Sequence, residues 1–178
     1  MAPAQAHGVP VVPDSVIVPE AVRSGIAVEI NGERFVHTGD PQMPLLWYLR
    51  DVLQLTGTKY GGEHGGNGTD LVLVNDKPVS AIGQPMAKLA GKRITTVEGL
   101  AANDGTLHPL QQAFIDEDAI GCGYCIPGWL IAGVDLLKRK PHPDDGDIDQ
   151  LPNSCRCGVQ ARVRAAIKRA AAGKAGQA

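Results

Sequence analysis

The sequence predicts an α+β chain, a small sheet first and a set of helices after it, and three observations carry that reading. Residues 26–36 alternate apolar and polar about Asn31-Gly32, a dipeptide suited to a two-residue hairpin turn. Beyond residue 98, apolar residues recur at helical spacing in three segments, with a short acidic helix between the last two. The four cysteines, Cys122, Cys125, Cys155 and Cys157, lie among those helical segments as one C-x-x-C and one C-x-C. Strands followed by helices, rather than alternating with them, are the pattern of an α+β protein.

Met1 to Ser24 is rich in Ala, Pro and Val and has neither period. Proline removes backbone donors and favours extended chain, so residues 1–24 read as an extended arm. Such an arm is either disordered or laid on a partner subunit, and Val11, Val12, Val16, Ile17 and Val18 favour the second. Ile26–Ile30 and Glu33–Val36 form the expected hairpin. Pro44 to Gln54 places Leu45, Leu46, Leu49, Val52 and Leu53 at helical spacing, with Pro at the start. Leu71–Val74 and Asn75–Ile82 suggest a second hairpin, Gly83–Arg93 a link between domains, and Ile94–Val97 a last short strand.

The helical part opens with Leu107 to Asp116, where Leu107, Leu110, Ala113 and Phe114 share one face. Pro127 to Lys140 follows, with Leu130, Ile131, Val134 and Leu137 inward. Asp144 to Gln150 is a short acidic helix. Val159 to Ala172 closes the set, with Val163, Ala166, Ile167 and Ala170 as its stripe. Four helices in so short a span predict a compact bundle.

A set of two cysteine pairs has three readings: disulfides, a zinc site or an iron–sulfur cluster. A chain of 178 residues can build a core without disulfide staples. Zinc favours pairs spaced C-x(2–4)-C, whereas the tight C-x-C suits neighbouring thiolates on a diiron cluster. Zinc remains the alternative, and with it a structural or regulatory subunit without an electron-transfer role.

The net charge of −2 argues against nucleic-acid binding or a membrane-surface role. No apolar run approaches the ~20 residues of a membrane span, and Met1 to Gly25 lacks the basic start of a signal peptide. The expected location is cytoplasmic, or periplasmic only if a partner's signal carries the chain. The charge is uneven. Up to Pro85 there are five Lys/Arg against nine Asp/Glu, and from Met86 onward twelve against ten. The basic excess sits in Arg162, Arg164, Lys168, Arg169 and Lys174, either a solvated helix face or a contact for an acidic partner.

Leu107-His108-Pro109-Leu110-Gln111-Gln112-Ala113-Phe114, then Cys-Gly-Tyr-Cys-Ile-Pro-Gly from Cys122, then Cys-Arg-Cys-Gly from Cys155, closely resemble the small iron–sulfur subunit of molybdenum hydroxylases. That is the xanthine dehydrogenase, aldehyde oxidoreductase and carbon monoxide dehydrogenase family. The resemblance covers roughly residues 25 to 172. It implies a ferredoxin-like β-grasp domain over 25–97 and a helical [2Fe–2S]-binding domain over 98–175. Cys122, Cys125, Cys155 and Cys157 would be the metal ligands of one cluster, with no catalytic residue in the chain. The implied function is electron transfer from a molybdenum centre, in a hetero-oligomeric oxidoreductase of aldehydes or N-heterocycles. The implied partners are a large molybdopterin-binding subunit, together with a flavin (FAD) or cytochrome (haem) subunit.

The chain departs from that family in three places. The family's other cluster would be held by cysteines where this chain has Gly62, Asn67, Asp70 and Ile82, so no plant-type cluster is expected there. A mononuclear metal held by Glu63, His64, Asn67 and Asp70 is the lesser alternative to an empty loop. Gly121 stands where relatives usually carry Gln, and the segment Ile148–Cys155 is about two residues shorter than usual.

Overall fold

Asn31 and Gly32 both adopt positive φ (53° and 84°), the condition for a tight turn whose twist matches its strands. The turn joins β1 (Ile26–Ile30) to β2 (Glu33–His37) in antiparallel register, with Val28 opposite Phe35. A second turn of the same kind, Asn75-Asp76 (φ 48° and 66°), joins β3 (Leu71–Val74) to β4 (Lys77–Ser80). The fifth strand, β5 (Arg93–Thr95), runs parallel to β1 and antiparallel to β3, giving the order β2-β1-β5-β3-β4. The computed structural model describes residues 25–61 and 67–175. The expected N-terminal arm, Gly62, Glu63 and His64 lie outside the described residues.

The helical spacing of residues 44–54 produces α1 (Leu45–Trp47), which runs on as a turn of π-helix over Tyr48–Val52. Leu45, Leu46, Tyr48, Leu49 and Leu53 are buried there with Val28, Ile30, Phe35, Val72 and Ile94. Gly83–Arg93 is not a bare link. Met86 and Leu89, on a 3₁₀ turn over Met86–Leu89, are buried in that same core, and two buried apolar side chains tie the segment to the sheet. The last strand also ends earlier than expected, because Val97–Leu100 tightens into another 3₁₀ turn.

The second half holds α2 (Pro109–Asp116), α3 (Ile126–Arg139), α4 (Asp145–Asp149) and α5 (Gln160–Ala175). Leu107 does not join the inward face of α2. His108 caps the helix, its Nδ1 accepting from the Leu110 amide at 3.1 Å while Gln111 reaches back to the His108 amide at 2.9 Å. Leu107 therefore lies before the helix and is exposed. The acidic helix α4 is closed by the same reciprocal device between Asp144 and Asp147.

β3 joins the two halves. Its alternation sends Val72 into the sheet core and Leu71 and Leu73 into the helical core, with Leu130, Ile131, Val134, Val163 and Ile167. α3 accordingly lies against β3. At its first turn the approach is tight enough that a Cβ on Gly128 would strike the carbonyl of Gly68. Among the described side chains, the basic residues of α5 do not form a free patch. Arg162 pairs with Asp118, Arg164 with Asp149, Lys168 with Asp145, and Arg169 with Asp116 and Glu117. The positive charge of these four residues is thus met by carboxylates of this chain, and Lys174 lies outside the described side chains. These pairs are exposed, so each adds little stability.

Candidate functional site

The two cysteine motifs meet where α3 and α5 begin. Cys125 is the N-cap of α3, and Cys122 precedes it on a turn that Gly123 closes with φ 84°. Cys155 and Cys157 lie on the loop between α4 and α5, just before Val159 and Gln160. Gln160 helps hold that loop, its side-chain amide donating to the Cys155 carbonyl at 2.9 Å. Asn153 ties the loop to the sheet half, its Nδ2 donating to the carbonyls of Asn67 and Gly68 at 3.4 and 3.3 Å.

All four thiols are free and fall into two pairs. Cys125 and Cys155 are buried, and Cys122 and Cys157 are exposed. The members of each pair interact, Cys122 with Cys157 and Cys125 with Cys155. Among the described residues no three His, Cys, Asp or Glu side chains converge to hold a single ion. Two interacting pairs of thiols suit two irons, since each iron of a [2Fe–2S] centre takes two protein thiolates. The residues present therefore fit a diiron cluster better than zinc.

The electrostatics differ between the thiols. The Tyr124 amide, donating to the Cys122 sulfur, leads the effects that hold that thiol below its ordinary value. Burial pushes Cys155 up, but amide donors at Val159, Cys157 and Gly158 outweigh it, and its net shift is downward. These are the unpaired N–H groups ahead of α5. Cys125 behaves otherwise. Burial, then its neighbour Cys155, pushes it up to about 12. Its place at a helix N-terminus does not offset that burial, whereas a bound cation would favour the thiolate. At Cys157 the Cys122 amide pulls down, but the Cys122 thiol and burial together turn the shift upward.

Gly121 packs directly behind this site. A Cβ there would lie 2.7 Å from the Cys157 Cβ, so no side chain fits without displacing a thiol-bearing residue. A cavity of about 390 Å³ opens beside the thiols, lined by Asn67, Tyr124, Ser154 and Arg156 as well as Cys122, Cys125 and Cys155. Sequence reasoning missed Tyr124 and Arg156 as lining residues; their place between the cysteines was the available signal.

The glycine-rich segment is organised differently. Asp70 is fully buried, its carboxylate accepting from the Ser80 hydroxyl and, at 3.5 Å, from the Ile82 amide. Asn67 Oδ1 accepts from the Thr69 amide and hydroxyl at 3.2 and 2.9 Å. Ile82 packs on the sheet core. The Asn67 and Asp70 oxygens, the alternative ligands of a mononuclear metal, are thus engaged in hydrogen bonds.

Comparison with known proteins agrees with this geometry. Residues 96–168 match the family model of the [2Fe-2S] binding domain. The chain is 39% identical over 152 residues to one of the subunits of nicotinate dehydrogenase from Pseudomonas putida, covering 84% of this chain and 96% of that one. It superposes on quinoline 2-oxidoreductase from Pseudomonas putida 86 with TM-score 0.78 and 33% identity, over 86% of this chain and 96% of that one. The aldehyde oxidoreductase of Desulfovibrio desulfuricans matches with TM-score 0.79 and 33% identity. There the chain again aligns over 86% of its length but spans only 17% of the larger protein.

Proposed function

The chain belongs to the family of small iron–sulfur subunits of molybdenum hydroxylases, and on that footing we propose that Cys122, Cys125, Cys155 and Cys157 hold its one [2Fe–2S] cluster. Its role is electron transfer as a non-catalytic subunit of an oxidoreductase. The observation that carries the ligand assignment is the sorting of four free thiols into an inner and an outer pair beside two helix starts.

When bound, the cluster supplies one-electron transfer and makes no bond to substrate. The chain's own residues do the rest. Cys125 and Cys155 anchor the buried side and keep water from it. Backbone N–H groups aimed at the sulfurs of Cys122, Cys155 and Cys157 favour the thiolate form and tune the reduction potential.

In the finer reading, residues 25–97 form a β-grasp domain and 98–175 a four-helix cluster-binding bundle, with 1–24 as an arm toward a partner. The donor is molybdopterin in a large subunit, while a flavin or haem subunit completes the complex. The reaction served is oxidation of an aldehyde or an N-heterocycle, as nicotinate and quinoline in the relatives' names suggest. A cytoplasmic location fits free thiols. No helix among the described residues is long and apolar enough to cross a membrane.

Purification of the full chain with its bound subunits, followed by iron analysis and electron paramagnetic resonance, tests the proposal. About two iron atoms per chain and one paramagnetic signal from this chain on reduction are expected for a single diiron centre. A colourless chain containing zinc would overturn it, as would four irons and two signals.

A further inference from the structure

The two buried thiols come from different segments, Cys125 from the start of α3 and Cys155 from the loop ahead of α5, and no disulfide fixes their separation. A third segment meets both. Asn153, two residues before Cys155, donates through Nδ2 to the carbonyls of Asn67 and Gly68, and the Ser154 amide donates to the same Asn67 carbonyl at 3.4 Å. Gly68 lies against Gly128, three residues after Cys125. A Cβ on Gly128 would collide with the Gly68 carbonyl and sit 2.9 Å from Asn153 Nδ2. A Cβ on Gly68, whose φ of 63° already favours glycine, would strike the same nitrogen. One carboxamide thus fills the gap among three backbones, two of which carry the buried thiols. The Gly68 carbonyl also accepts from the Leu71 amide at 3.3 Å, which anchors the junction to β3. Asn153 Oδ1 is buried and meets no donor among the described residues, so the group serves the junction through its N–H atoms and its shape.

We propose that Asn153 is a positioning residue, whose side-chain amide between Gly68 and Gly128 sets the spacing of Cys125 and Cys155 and closes the inner side of the site to water. This rests on the cluster assignment above. The hydrogen bonds are slightly longer than usual, so each contributes little energy and their effect is geometric. Asn67 and Ser154, which this clamp joins, both line the cavity beside the thiols, so loosening the clamp opens that wall. Residues that orient metal ligands without touching the metal govern how tightly it is held. Water on the inner side would stabilise the more negative, reduced form of a four-thiolate cluster, so an open junction raises the reduction potential. The amide donors to the Cys155 sulfur lie beyond it in the chain, at Cys157, Gly158 and Val159, and do not depend on the clamp.

The test compares the metal-loaded full chain with Asn153→Ala, Asn153→Asp and, as a control, Asp70→Ala. Aspartate keeps the size of asparagine but has no N–H to donate, and its oxygens would face two carbonyls. Iron release to a chelator should be about tenfold faster in both Asn153 variants, the low end of what such orienting partners contribute to metal affinity. It should be unchanged in Asp70→Ala, which weakens the sheet half without removing the clamp. In a spectroelectrochemical titration the midpoint potential of Asn153→Ala should rise and its paramagnetic signal should change shape, while Asp70→Ala matches the parent in both. Asn153→Ser retains one donor and keeps the test open should either variant fail to load. It should load and release iron at an intermediate rate, and a parent-like rate would overturn the proposal. So would parent-like release from Asn153→Asp, equally fast release from all three variants, or a lowered Tm in Asn153→Ala with potential and signal unchanged. A parent that carries zinc and gives no paramagnetic signal would instead sink the cluster assignment, and the release rates of that zinc would still decide the role of Asn153.

Discussion

Two regions of this chain place backbone turns and polar side chains in front of a regular element, residues 121–158 and residues 67–82, and they solve the same problem differently. The first gathers four thiols between α3 and α5. The second, where the family resemblance implies ligands of another cluster, has Asn67, Asp70 and Ile82 among the described residues. There a buried carboxylate accepts from Ser80 and from the Ile82 amide, and the partly buried Ile82 side chain packs against the sheet core. A metal cross-link and a hydrogen-bonded lock can each hold a glycine-rich turn, but only the metal carries electrons. The two regions touch through Asn153 and through Gly128 against Gly68, so the second still shapes the first.

The sharpest break of that contrast is a thiol substitution. Cys125→Ser or Cys155→Ser should abolish iron binding altogether and expose apolar surface of the helical half, because metal binding is coupled to folding. Iron content per chain and thermal unfolding check it. Retention of the parent's iron in either variant would end the distinction between the two regions.

How much of this is legible without the fold depends on how local the signal is. Asn31-Gly32 is decided within a few residues, and the hairpin forms where that dipeptide puts it. Met86 and Leu89 are hidden in a segment that looks like a linker, because only the approach of β1 and α1 gives them a core to enter. Leu107 fits a helical period on paper, but the His108 cap starts the helix after it. The cations of α5 look available because their carboxylates come from α2, α4 and the turn at Asp118, which the sequence does not place beside them. At the site, the identity of the thiols is readable and their sorting into a buried and an exposed pair is not.

A lesser effect is expected at the lock. Asp70→Ala should leave iron content unchanged and destabilise the sheet half by about 1–3 kcal/mol, the penalty for stranding buried donors. For a chain of this size each kcal/mol lowers Tm by roughly 2–4 °C. A fall in bound metal would make the second region a metal site after all. Gly128→Ala probes the junction between the regions. Its methyl would collide with backbone at Gly68, which cannot swing aside like a side chain. A loss of about 1–3 kcal/mol is expected from such overpacking, together with a perturbed paramagnetic signal, since Cys125 caps the same helix. An unchanged signal with unchanged Tm would show that the two regions are independent.

The smallest effect concerns the exposed clasp at Asp76, which bridges the β3–β4 turn to Lys138 on α3 and to Arg93 on β5. The Lys138 hydrogen bond and charge, followed by the Arg93 charge, hold the Asp76 carboxyl below its ordinary value. A folded pKa below the unfolded one means the stabilisation is fully present above the ordinary carboxylate range. It is lost as pH falls through the folded value. Asp76→Asn keeps a residue that tolerates the positive φ of this turn, so it removes charge and little else. Denaturant midpoints should be slightly lower for the variant at neutral pH, converge with the parent in acid, and converge again in high salt, which screens an exposed pair. In each condition the variant's iron content should equal the parent's. A midpoint difference that persists undiminished in acid would assign the effect to the turn's backbone and not to the clasp between the two regions.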